Sequence, residues 1–318
     1  MKVRFWGTRG SIPVSLTAPD IRRKLLAALE GAIGRNLDSR EKIDLYIDHE
    51  LGFDIRGTFG GHSSCVEIDV QGPEHTICDM GSGARPLGGD MIARYGASGQ
   101  TYHIFMSHLH WDHMMGFPFF TPVYIPGNRI VIHGCHANME DAFRLQQSAP
   151  GFPVDFNLLG AKIEFDRMKP GEVYEIAGLR VIAKLQKHGG DSYGYRFEHN
   201  NHVVIYSTDS EHQLDNIAAT QSFVDFFRDA DLVIFDAMYS LADAISVKAD
   251  WGHSSNIVGV ELCQQAGAKR FCMTHHEPAH DDAKIALTLD ETRRFEEITR
   301  FDQPVEIISA YDGLEISL

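Results

Sequence analysis

Hydrophobic residues along this chain fall mostly in short runs of strand length, set apart by glycine, proline and polar turns, and a few longer stretches show helical spacing. Residues 2–6 predict an opening strand. Residues 18–32 carry Leu25, Leu26 and Leu29, with Ile33 just beyond, at the three- and four-residue spacing of a helix, and Pro19 suits its first turn. A second helical segment spans about 39–51. Together they form a helical insertion at about 16–56, which either caps a pocket or packs on a partner. The alternation at 65–70 predicts a strand with one wet face, and a turn near Gly72 and Pro73 leads into a strand at 75–78. Further strands are expected at 102–106 and 129–133, then a helix at 138–147. A meander follows, with strands at 162–165, 173–176, 179–185, 194–197 and 203–206. Helices at 221–228, 255–266 and 282–300 then alternate with buried strands at 232–235, 270–274 and 305–309, an α/β pattern.

Several of these runs end in residues of one chemical kind. The strand at 102–106 delivers Ser107-His108-Leu109-His110-Trp111-Asp112-His113. His108 and His110 leave its end on one side, because strand side chains alternate with period 2, and Asp112 and His113 follow across the turn. Buried imidazoles and carboxylates need partners, so this order fits metal ligands facing one or two divalent ions better than core packing. His188 follows the strand at 179–185, Asp209 closes the one at 203–206, His275 closes the one at 270–274, and His253 stands in Trp251-Gly252-His253-Ser254-Ser255. Each alone has an ordinary reading as a turn aspartate or capping histidine. For His253 that reading is a helix N-terminus with Ser254 as the cap. Taken with the cluster they complete a two-metal set. Asp79, ahead of Met80-Gly81-Ser82-Gly83, reads either as a carboxylate supporting such a site or as a plain Asx turn.

The 318 residues, 43% of them hydrophobic, can fill one large α/β domain. The net charge of −15, from 44 acidic and 29 basic residues, comes without any lysine- or arginine-dense run. That argues against a broad nucleic-acid surface and for a small substrate in a local pocket. Cys65, Cys78, Cys135, Cys263 and Cys272 are widely spaced with no C-x-x-C, and read as buried free thiols in a reducing cytoplasm. No run approaches the ~18 apolar residues of a membrane span, so a soluble, cytoplasmic protein is expected.

The order His108-x-His110-x-Asp112-His113, then His188, Asp209 and His275, resembles the metallo-β-lactamase superfamily. The likeness runs from Phe5-Trp6-Gly7-Thr8-Arg9-Gly10-Ser11 to Tyr311-Asp312-Gly313. Five stretches are similar to its phosphodiesterase branch, which holds ribonuclease Z and the phosphoribosyl 1,2-cyclic phosphate phosphodiesterases. They are Cys78-Asp79-Met80-Gly81-Ser82-Gly83, His188 ahead of Gly194-Tyr195-Arg196, Tyr206-Ser207-Thr208-Asp209, Gly252-His253-Ser254-Ser255 and Thr274-His275-His276-Glu277-Pro278. The resemblance implies a four-layer αββα fold in a single domain over 1–318. It implies one metal on His108, His110 and His188, another on Asp112, His113 and His275, and Asp209 bridging; Zn²⁺ is the expected ion and Mn²⁺ the alternative. A hydroxide shared by ions ~3.5–4 Å apart would attack phosphorus. His253 would contact the scissile phosphate and protonate the departing alkoxide, so His253 and Asp112 are the implied catalytic residues, with Asp79 secondary.

The implied activity is metal-dependent hydrolysis of a small or cyclic phosphodiester, a cyclic nucleotide or cyclic sugar phosphate. Acyl hydrolysis of a thioester or lactone is the alternative from another reaction class. A tRNA 3′ endonuclease ranks below both, because the arm with which ribonuclease Z grips tRNA has no evident counterpart in this sequence, and a non-catalytic binding protein does too, because all seven ligand positions are filled. A homodimer is left open.

Overall fold

The structure, a computed structural model, describes residues 1–212, 216–239, 253–300 and 302–318. Trp251 and Gly252 of the His253 motif lie outside the described residues. Alternation at the start of the chain produces β1 (Lys2–Gly7), which buries Val3 and Phe5. It is followed in the first sheet by β2 (Cys65–Asp69), β3 (Glu74–Cys78), β4 (Thr101–Phe105), β5 (Arg129–Gly134) and β6 (Lys162–Arg167). The second sheet takes β7 (Val173–Ile176), β8 (Leu179–Gln186), β9 (Ser192–His199), β10 (His202–Ser207), β11 (Leu232–Asp236), β12 (Arg270–Thr274) and β13 (Glu306–Ser309). The last strand, β14 (Glu315–Ser317), returns to pair antiparallel with β1. The stretch from 162 to 206 is thus divided: β6 closes the first sheet, and the antiparallel meander begins only at β7.

Helices cover the outer faces. Among the described residues, in chain order, they are α1 (Ala18–Gly31), α2 (Arg40–Leu45), α3 (Phe53–Arg56), α4 (Ala84–Tyr95), α5 (Trp111–Met114), α6 (Met139–Gln146), α7 (Ile217–Phe227), α8 (Asn256–Ala266) and α9 (Asp282–Thr299). Between the sheets, Val3, Phe5, Phe105, Tyr195, Phe197 and Tyr206 interdigitate in one core. Leu87 and Met91 of α4 pack with Phe117, Phe120 and Phe143 over the first sheet. Val224 and Phe227 of α7 and Val260 and Leu262 of α8 pack with Phe235 and Phe271 over the second. This is a helix–sheet–sheet–helix sandwich, the αββα architecture expected. Burying each of these large side chains is worth ~1.5–3 kcal/mol.

Two expectations change. The alternation of β2 does not mark a wet face: Glu67 is buried because Arg4 and Arg94 reach it at 3.0 and 2.9 Å and Trp6 donates to it. The cap of α8 is Ser255, which accepts from Val258 N, while Ser254 Oγ accepts from His212 N at 3.2 Å. Leu25, Leu26 and Leu29 lie on a helix, with Ile33 just past its end, as their spacing predicts, and all four point to solvent.

Both sheets carry a parallel block, β3 to β6 in one and β10 to β13 in the other. Crevices beyond the carboxyl ends of parallel strands are where α/β folds bind ligands.

Candidate metal centre

Strand ends supply the polar groups. Asp79 follows β3; His108, His110, Asp112 and His113 follow β4; His188 follows β8, Asp209 follows β10, and His275 follows β12. Asp79, Asp209 and His275 take positive φ values of 58°, 44° and 59°, which side-chain-bearing residues seldom adopt and which turn the chain sharply off each strand. Gly10 runs so close to the site that a Cβ there would stand 2.5 Å from His275 Nδ1. A side chain at that position would displace the ring.

Asp209 lies buried at the centre. Its Oδ1 is 3.2 Å from Nε2 of His113 and 3.2 Å from Nε2 of His275, and its Oδ2 is 3.6 Å from Nε2 of both His108 and His188. Asp112 Oδ2 joins the first pair, 3.2 Å from His113 Nε2 and 3.4 Å from His275 Nε2. His110 Nδ1 joins the second, 3.1 Å from His188 Nε2. The structure therefore brings together the seven residues picked out from the sequence as ligands, in two groups that meet at the two oxygens of one carboxylate. The donor atoms within the groups His108, His110, His188 and Asp112, His113, His275 all lie within 4.8 Å of one another.

Polar satisfaction shows what the cluster lacks. His108 Nε2 and Asp112 Oδ2 are buried with no hydrogen-bond partner, a costly state unless a cation takes their lone pairs. Burial holds the His108 imidazole well below its ordinary range, with the His113 charge adding to it. Burial also opposes charge on His113, but Asp209, Asp112 and Asp79 outweigh it and drive that ring well up. Burial works against ionised Asp112 and Asp209 too, yet neighbouring imidazoles pull both well down. Carboxylate oxygens and imidazole nitrogens gathered in this way form a donor set that fits borderline divalent ions such as Zn²⁺, with Mn²⁺ as an alternative; a bound cation would take the place of the proton on His113.

Supporting contacts fix the rings. Asp79, fully buried, accepts from Ser107 N at 2.8 Å, from Ser107 Oγ at 2.7 Å and from Tyr206 Oη at 2.7 Å, and lies 2.8 Å from His113 Nδ1. His108 Nδ1 is 3.0 Å from Ser107 Oγ. Holding the far nitrogen of a ligand imidazole fixes its tautomer and raises its basicity. His276, beside the site, lies with Nε2 2.9 Å from Ala310 O, and burial pushes its ring down to about 3.

His253 borders the same space: its ring stacks on His275 at a 5.1 Å centroid distance and sits 5.2 Å from that of His188. Its Nδ1 is 2.8 Å from Asp236 Oδ2. Burial disfavours the imidazolium, but Asp236, Asp209 and Asp112 raise the ring to about 9. Asp236 is a residue of this site that sequence reading passed over. It ends β11 as Asp209 follows β10, and the same sign, a carboxylate closing an apolar run, was there to be read.

Comparison with known proteins agrees with this geometry. A ribonuclease Z of Haloarcula marismortui is 24% identical over 308 residues, covering 80% of this chain and 90% of that protein. The metallo-beta-lactamase fold protein YhfI from Bacillus subtilis superposes with a TM-score of 0.64 at 16% identity, covering 99% of this chain and 98% of that one. A diphosphatase of the PhnP family superposes at 0.59 with 19% identity, over 100% and 97%. Residues 97–276, more than half of the chain, match the beta-lactamase superfamily domain. With that match and the two-sheet sandwich, the chain belongs to the beta-lactamase superfamily and is a hydrolase of its metallo-β-lactamase fold.

Proposed function

We propose that the chain is a metal-dependent phosphodiesterase acting on a small phosphodiester, a cyclic nucleotide or cyclic sugar phosphate. The observation that carries this reading is the contact between His253 Nδ1 and Asp236. It leaves Nε2 to face a phosphate, and the Asp236 carboxylate on the far nitrogen favours the imidazolium form that donates. His108, His110 and His188 would hold one ion, Asp112, His113 and His275 the other, and Asp209 both. Such ions supply Lewis acidity and a nucleophile at neutral pH. Asp112, held well below the carboxylate range, stays an acceptor that can orient the attacking water. As the P–O bond to the leaving group breaks, the alkoxide takes the proton of His253 Nε2, and Asp236 keeps the ring aligned while solvent reprotonates it.

Acyl hydrolysis has less need of a paired imidazolium, because it has no phosphate dianion character to offset. The relatives named ribonuclease Z favour RNA as a second substrate class; the net charge of −15 argues for the smaller one. The test is a panel of 2′,3′-cyclic, 3′,5′-cyclic and 1,2-cyclic phosphates, assayed with Zn²⁺ and Mn²⁺ beside p-nitrophenyl acetate, a thioester and a 3′-extended tRNA. Turnover of a cyclic phosphate supports the reading. Turnover of the acyl esters or the tRNA alone overturns it.

A further inference from the structure

Helix α1 is built inside out. The residues it turns toward the body are Asp20, Lys24, Ala27 and Ala28; Lys24 Nζ is 2.6 Å from buried Asp282 Oδ2 and donates to Gly57 O, and Tyr46 Oη donates to Ala28 O. Its outer face carries an unbroken four-residue row, Ile21, Leu25, Leu29 and Ile33 just past its end, exposed by 45, 58, 67 and 80%. A surface helix ordinarily sends such a row to the core. Ten of the twenty exposed large apolar side chains among the described residues fall between Ile12 and Ile47.

Beside this row runs a second, Arg22, Leu26 and Glu30, also one helical turn apart and also exposed. Its two ends carry opposite charges, and no ion pair or hydrogen bond engages either side chain among the described residues, whereas Arg23 pairs with Asp20 and Asp281. The middle residue is apolar. A row of this composition is complementary to its own reverse.

We propose that this face joins two copies of the chain, α1 against α1, antiparallel about a twofold axis at Leu26. Leu26 then meets Leu26, and Arg22 of each copy lies opposite Glu30 of the other. Rows spaced by four residues pack side by side when two helices cross at about −50°, which brings the charged ends into register while the apolar rows close the seam on either flank. A twofold interface requires self-complementarity of this kind. The docking of α1 onto α9 through Lys24 and Arg23 gives each copy a fixed platform.

Sedimentation velocity of the full chain over a micromolar range tests this. The unaltered chain is expected to form a dimer; Arg22→Glu or Glu30→Arg turns both symmetric contacts repulsive and weakens it by about tenfold. The double exchange Arg22→Glu with Glu30→Arg restores opposite charges and should restore the dimer, which separates pairing from misfolding. A monomer at every concentration, a chain that instead co-sediments with anionic vesicles, or single variants that dimerise like the unaltered chain would each overturn the proposal.

Discussion

Asp236 Oδ2 and His253 Nδ1 stand 2.8 Å apart, joining the end of β11 to a residue two positions before the Ser255 cap of α8. Ser210 N also points at Asp236 Oδ2, at 3.4 Å, and Met238 N donates to Oδ1 at 3.1 Å, so the carboxylate is held from three sides. Removing its charge should misalign His253 without emptying the site. Asp236→Asn is expected to lower kcat for a diester by ~10–100-fold, and His253→Ala by ~10²–10⁴-fold, with bound metal little changed. Equal kcat in the unaltered chain and the two variants would remove His253 from the reaction.

Asp79, fully buried, gathers three donors and the far nitrogen of His113. Tyr206→Phe deletes one donor and should cost about 1 kcal/mol of stability, read from urea unfolding. Asp79→Ala frees His113 and should weaken metal affinity by ~10–100-fold. A competitive chelator titration measures it, and unchanged affinity would mean that His113 needs no such support.

Trp111 lies between His110 and Asp112 and is 66% exposed. Under the proposed phosphodiesterase reading, an indole at the edge of the site would offer a stacking face for a nucleobase, worth ~1–3 kcal/mol. Trp111→Ala should therefore raise KM for a cyclic nucleotide by about tenfold and leave KM for a cyclic sugar phosphate nearly unchanged. Equal effects on both would deny the indole a part in base recognition.

Acid should weaken the fold before any carboxylate of ordinary strength titrates. Burial pushes His212, wedged between Phe223 and Phe235, down to about 4, and burial pushes His133 to about 4 although Asp166 opposes it. In the unfolded chain these rings titrate near ~6.5. Between those values the unfolded state binds more protons, so the stability present above the unfolded pKa is lost as pH falls toward about 4. Urea midpoints should decline across that window. A midpoint that stays flat through it would show that the rings are protonated in the native protein.

Local order in the sequence carried much of the site. His108, His110, Asp112 and His113 are read together because one turn holds them, and His188, Asp209 and His275 because each ends an apolar run. Asp236 also closes an apolar run, but nothing local sets it apart from an ordinary turn aspartate, and only the parallel pairing of β10 with β11 sets it beside Asp209's strand. Glu67 looked like the wet side of a strand, since period-2 alternation is the same whether a carboxylate meets water or buried Arg94. Helix α4 went unread because Gly88 and Gly89 weaken the helical signal; Gly88 is needed where the helix meets Phe120 and Pro122, which a Cβ would approach to 3.0 Å. In α1 the spacing was legible, but the direction of its apolar row was not, because Lys24 and Asp282 decide which face docks.

The central claim is that the groups around Asp209 make the chain a metal-dependent diesterase. Zinc titrated into chelator-stripped protein, with bis-p-nitrophenyl phosphate turnover followed against ions bound, tests it most directly. Turnover should be absent at the start and rise to a plateau at about two ions per chain. Turnover by the stripped protein, or none with zinc fully bound, would contradict it.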